Sequence, residues 1–161
     1  MASYIPVNQL VQLCSRYVKG WLRKLVFYIK SCFFDTRYKC ITIDELEQLL
    51  KIWRENILPK LRYQLDFWDC DDFAMYFASW IKLKTKTNCG GMVIGVLNGF
   101  GHAWTPVLVK NYDDVDVMFV EPQLGRIVEV NKEDVIEMPV TVRRRMSVSG
   151  YATYHPLYYI W

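Results

Sequence analysis

An α+β fold, helices first and an antiparallel sheet second, is what this sequence predicts. Two observations predict it. In the first half, apolar residues recur every three or four positions, as they do along one face of a helix. From Met92 onward they come in short runs separated by Asn, Gly and Asp, as in strands joined by tight turns. The 161 residues suffice for a single domain with a real core, and a composition 52% hydrophobic and 16% aromatic argues against disorder.

The formal net charge of +3 is too small to imply nucleic acid, and none is expected as a partner. No apolar run approaches the ~20 residues of a membrane span, and the first residues lack the apolar stretch of a signal peptide. The expected location is therefore cytoplasmic. Five cysteines, with no CxxC pair among them, support neither a zinc framework nor a disulfide framework. Cys14, Cys32 and Cys89 sit among apolar or small residues and read as buried small hydrophobes.

Residues 8–33 read as one helix, with Leu10, Cys14, Tyr17, Trp21, Leu25, Tyr28 and Cys32 on its apolar face. Its charges are Arg16, Lys19, Arg23, Lys24 and Lys30, and no acid precedes Asp35. Such a helix can lie on a peripheral membrane surface or an acidic partner, or pack on the core with its lysines in water. The wide aromatic face favours the core. A second helix starts at a capping box of Thr42 and Glu45, with Ile41 and Leu46 as its hydrophobic staple, and stops at Pro59. Residues 60–67 should be extended. A third helix covers 69–83, with Asp69 as N-cap and Phe73, Phe77 and Ile81 on its buried face.

Four strands follow, at 92–97, 102–109, 115–121 and 126–130. Asn98-Gly99-Phe100-Gly101 is a hairpin signal, and Pro106 suggests an edge or a bulge. Residues 132–136 read as a short turn of helix. Residues 140–148 carry Arg143, Arg144 and Arg145, a solvated edge or an anion site. The aromatic stretch 154–161 should pack on the core. The whole is expected as one domain, 1–161, with a helical part at 1–58, a core at 59–131 and the aromatic tail at 132–161.

Three short blocks carry chemistry. Asp69-Cys70-Asp71-Asp72 puts a thiol at a helix start, where the dipole favours negative charge while the acids oppose it. His102, in Gly101-His102-Ala103-Trp104, is the candidate base, and alternation puts Trp104 on its side of the sheet. Glu121, at the end of the adjacent strand, can orient the imidazole. His155 has no such context and reads as structural. A zinc site built from Cys70, His102 and an Asp is a minor alternative.

These blocks resemble the transglutaminase-like branch of the papain-like cysteine peptidases, most closely the cysteine peptidase domains attached to some fungal agglutinins. The resemblance covers roughly residues 64–125. It implies a papain-like core with Cys70 as nucleophile, His102 as base, Glu121 as orienter and Gln64 as an oxyanion-hole donor. Trp68, Trp104 and Gln123 would contact substrate. Some members of that clan depend on calcium, so Asp69, Asp71 and Asp72 could supply oxygen ligands, although no cofactor is required. The function so implied is a thiol hydrolase acting on a peptide or protein substrate through an acyl-enzyme. The alternatives are an acyl transferase and a non-enzymatic binding protein that uses its basic N-terminal helix.

Overall fold

The computed structural model describes residues 4–62, 64, 69–112, 114–131, 133–137 and 149–161, with the backbone alone for 133–137 and 149–152. Strand β1 (Tyr4–Pro6) leads into α1 (Val7–Tyr17) and α2 (Trp21–Lys30). The single helix expected over 8–33 is thus two. The break has a local cause: Val18 is extended and Gly20 sits at φ +88°, a conformation open to glycine but foreign to a helix. Strand β2 (Arg37–Lys39) pairs antiparallel with β1, and the two-residue β3 (Ile41–Thr42) carries the chain to α3 (Ile43–Ile52). The capping box forms: the Glu45 amide donates to Thr42 Oγ1 at 3.2 Å, and the Thr42 amide donates to Glu45 Oε2 at 2.8 Å. Past Ile52 the helix widens into a π turn, Trp53–Ile57, and ends in a 3₁₀ turn, Leu58–Lys60, that contains Pro59.

Helix α4 (Cys70–Thr85) starts at Asp69, whose amide donates to the Asp72 carboxylate at 3.2 Å. The sheet follows as β4 (Met92–Leu97), β5 (Phe100–Asn111), β6 (Asp114–Glu121), β7 (Arg126–Val128), β8 (Glu133–Glu137) and β9 (Ser149–Ile160). Asn98 (φ +48°) and Gly99 (φ +88°) alone close the β4–β5 hairpin, opposite the Leu97–Phe100 pair. Among the described residues the order across the main sheet is β7-β6-β5-β4-β9-β8, with β3 lying parallel to β5.

Three expectations are corrected here. Residues 133–137 form a strand rather than a turn of helix, because they pair with β9, whose edge would otherwise be open. Pro106 lies in a central strand. It is tolerated because regular β4 pairing stops at Trp104, and the Pro106 carbonyl instead accepts from the Gly91 amide at 3.0 Å. Cys32 is exposed, whereas Cys14, Cys40 and Cys89 are buried. The arginine run at 143–145 lies outside the described residues. Among the described residues, no helix is long and apolar enough to cross a membrane.

The core joins both halves. Trp53 meets Phe77 edge-on at 4.8 Å, Phe27 meets Tyr159 at 5.7 Å, and Trp104 meets Tyr154 at 5.2 Å, and all six side chains are fully buried. The Thr105 hydroxyl donates to the Ala74 carbonyl at 3.0 Å and pins α4 to β5. Residues 154–160 belong to β9, inside the sheet between β4 and β8, and Trp161 follows it.

Gly95 lies where β4 passes close to β9 and to the Trp104 ring. A Cβ there would overlap the His155 carbonyl oxygen and the Trp104 ring, both fixed by the surrounding structure. Gly95→Ala should therefore destabilise the fold by about 1–3 kcal/mol, the usual cost of overpacking. Urea unfolding of the two proteins measures it, and equal midpoints would mean that the β4–β9 contact yields easily.

Candidate functional site

The chemistry converges where α4 begins beside β5 and β6. Cys70 is the first residue of α4 and is half-buried. His102 lies near the start of β5 and is 4% exposed, and Glu121 ends β6 fully buried. The Thr105–Val120 pair fixes the register between β5 and β6, which brings Glu121 close to His102. The Glu121 Oε2 and His102 Nε2 atoms are 2.6 Å apart. Cys70 interacts with the same ring. Burial alone would push the His102 ring down. The Glu121 carboxylate, with the Cys70 and Glu121 hydrogen bonds, overrides that and raises it to about 10. The Glu121 carboxylate thus favours the protonated ring.

Glu121 has further partners. The Gln123 amide donates to Oε1 at 3.2 Å, and the Tyr154 hydroxyl donates to Oε2 at 3.3 Å. The turn after Glu121 is clamped from the helical half: the Trp53 indole donates to the Pro122 carbonyl at 2.8 Å, and Arg54 donates to the Gly125 carbonyl at 2.7 Å. Gly125, at φ +60°, leaves the space that the Arg54 side chain crosses. Trp53, Tyr154 and Thr105 are the supports that the sequence did not disclose. Tyr154 read there only as part of an aromatic stretch packed on the core, and the polar tips of Trp53 and Tyr154 meet partners remote in the chain.

Around this centre the expected residues divide. The Trp104 ring stacks on His102 with centroids 5.9 Å apart. Trp104 Nε1 and Gln123 Nε2 are buried donors with no hydrogen-bond partner among the described residues. Gln64, six residues before Cys70, is exposed. Trp68 lies outside the described residues. Asp69, Cys70 and Asp71 hold potential metal ligands within 4.8 Å of one another, while Asp72 serves the helix cap. Two carboxylates and a thiol are an incomplete set for calcium, which takes about six to eight oxygens.

A second feature adjoins the Glu121 turn. A groove of about 490 Å³ between α3 and β7 is lined by Glu47, Gln48, Lys51, Arg54 and Arg126, with Leu50 and Ile127 at its apolar wall. Its wall of carboxylate, amide, ammonium and guanidinium groups can meet hydroxyls with both donors and acceptors.

Comparison with known proteins decides the family. Residues 24–138 match the ricin-type beta-trefoil lectin C-terminal domain, and that stretch is more than half of the chain. The chain belongs to that family. No curated protein matches it. Among solved structures it is similar to a PSL1a-E64 complex, at 18% identity and a TM-score of 0.56, over 98% of this chain and 50% of that one. It is also similar to Polyporus squamosus lectin bound to the human-type influenza-binding epitope Neu5Aca2-6Galb1-4GlcNAc, at 17% identity and a TM-score of 0.57, over 98% of this chain and 49% of that one. The chain thus spans about half the length of the solved structures it matches.

These findings correct the papain-like or transglutaminase-like core expected from the sequence, and with it the thiol hydrolase, the acyl transferase and the peptide substrate. The physical reason is scale. Three short blocks specify a local meeting of thiol, imidazole and carboxylate, an arrangement that recurs on unrelated folds. The family match rests on a far longer stretch of chain.

The raised pKa of His102 has a consequence for stability. Its ordinary pKa is near 6.5, so the contribution of the pair is full below that value and is lost as pH rises towards about 10. The buried Cys14, Cys40 and Cys89 thiols and the Tyr17, Tyr38 and Tyr159 hydroxyls are raised too, but weigh in only above their own ordinary values. Between about pH 6.5 and 8.5 the wild type should lose stability steadily, and His102→Gln should flatten that slope. Urea midpoints across the window test it; parallel slopes would mean that His102 is neutral.

Proposed function

We propose that this chain, working as one unit over 1–161, is a lectin-type binding domain that takes a carbohydrate in the groove between α3 and β7. Membership of the lectin family over residues 24–138 is the observation that carries this reading. The groove adds the chemistry: Glu47 and Gln48 are exposed on α3, Arg54 lines it from the π turn that continues this helix, and Arg126 comes from β7. Planar polar groups of this kind bridge neighbouring hydroxyls, and the apolar wall suits the C–H face of a ring. The solved Polyporus squamosus lectin, similar in fold, holds a glycan epitope, which supports the ligand class.

A glycan array, read with and without calcium, tests the reading. Bound glycans should lose about tenfold or more in affinity on Glu47→Ala or Gln48→Ala, the usual cost of a hydrogen bond to a polar partner, with unchanged melting temperature. A blank array in both conditions, or binding that survives both substitutions, overturns it. So does turnover of an amide library that Cys70→Ala abolishes.

We also propose Cys70, His102 and Glu121 as a positioned thiol centre, whatever ligand it meets. Cys14, Cys40 and Cys89 are buried, so in folded protein iodoacetamide should reach Cys70 and the exposed Cys32 only. His102→Gln should change the labelling rate of Cys70 and leave that of Cys32 alone. Mass spectrometry of the alkylated peptides reads both, and equal behaviour of the two cysteines would remove the claim that His102 acts on Cys70.

A further inference from the structure

Helix α2 is built inside out. At 3.6 residues per turn, Trp21, Leu22, Leu25, Tyr28 and Ile29 fall within an arc of about 120°. All five are more than half exposed, from 51% at Leu25 to 75% at Trp21. Phe27, on the far side of the helix, is its sole fully buried residue and packs edge-on to Tyr159. The apolar stripe of this helix therefore points away from the core, the reverse of a surface helix in a globular domain. Phe34, four residues beyond the helix, is 77% exposed as well. Single exposed apolar side chains are ordinary; a continuous stripe on one helix marks a contact surface.

The charges say what kind of contact. Arg16, Lys19, Arg23, Lys24 and Lys30 lie on α1, α2 and the bend between them, and residues 1–34 hold no acid. Lys24 borders the apolar arc on one side, while Arg23 and Lys30 lie beyond the other. A second copy of this chain meeting through α2 would set one all-basic surface against another, and such like-charge juxtaposition is costly. An aromatic-aliphatic stripe flanked by long cations suits the headgroup layer of an anionic bilayer: the apolar arc enters the acyl boundary and the cations reach phosphates.

We propose that α2 docks this domain on anionic lipid surfaces, lying in the interface with Trp21, Leu25, Tyr28 and Ile29 inserted. This surface is separate from the groove and from the Cys70 centre. The test is cosedimentation of the intact chain with phosphatidylcholine vesicles, with and without phosphatidylserine, at low and high salt. Binding should need phosphatidylserine and weaken with salt. Lys24→Glu with Lys30→Glu should weaken it by about tenfold or more, since each cation near an anionic leaflet contributes on that scale. Trp21→Ser with Ile29→Ser should abolish it. All four positions are exposed, so circular dichroism and melting temperature should not change. The proposal is overturned by absence of binding to the anionic vesicles, by equal binding to neutral ones, or by binding that both double variants retain. It is overturned equally if the stripe proves to be covered by self-association, seen as dimers in sedimentation velocity that Trp21→Ser with Ile29→Ser dissolves.

Discussion

A carboxylate with no access to water has to be matched by donors, and in this protein that carboxylate is Glu121. Its donors come from the His102 ring on β5, the Gln123 amide in the following turn and the Tyr154 hydroxyl on β9. They converge only when three strands are in register. The helical half takes part through Trp53 and Arg54, which hold the turn that carries Gln123. Removing one partner from such a buried pair leaves an uncompensated charge, at a cost of roughly 3–5 kcal/mol. The ion pair, the turn and the sheet register therefore depend on one another.

The same turn joins the two chemical features of the surface. Glu121 begins it and faces the His102 and Cys70 side; Gly125 ends it and receives Arg54, which lines the groove. A local constellation and a family membership are different kinds of statement about these residues. The first concerns which atoms meet, and holds whatever the protein does. The second concerns the descent of a long stretch of chain, and here it points to lectins. Similar thiol–imidazole–carboxylate lines arise independently, so the blocks could not decide the family.

What was legible in the sequence was local. The Thr42–Glu45 capping box, the Asn98-Gly99 turn and the start of α4 at Asp69 each depend on residues within a few positions of one another. The proximity of His102 and Glu121 could be read as well, because a hairpin order and strand alternation suffice for it. What could not be read was set by remote partners. Residues 133–137 became a strand because β9 was there to receive them. Gly20 split a continuous periodicity that otherwise ran through residue 33. The outward turn of α2 was hidden for a related reason: periodicity shows that a helix has an apolar face but not which way it points. Cys32, placed by backbone bonds to Tyr159 and Trp161, came to the surface for the same reason.

The position of β9 also bears on the order in which the molecule can be assembled. It comes after all the strands it joins, yet it lies between β4 and β8, and its pairs with β4 join residues more than fifty positions apart. During synthesis the outer edge of β4 has no partner until β9 has left the ribosome. A hairpin such as β4–β5 can close early, but the sheet cannot, so contacts distant in sequence set the pace of folding. In that interval Val93 and Leu97, fully buried later, present an open strand edge, and that edge is where a nascent chain would be most open to pairing with another.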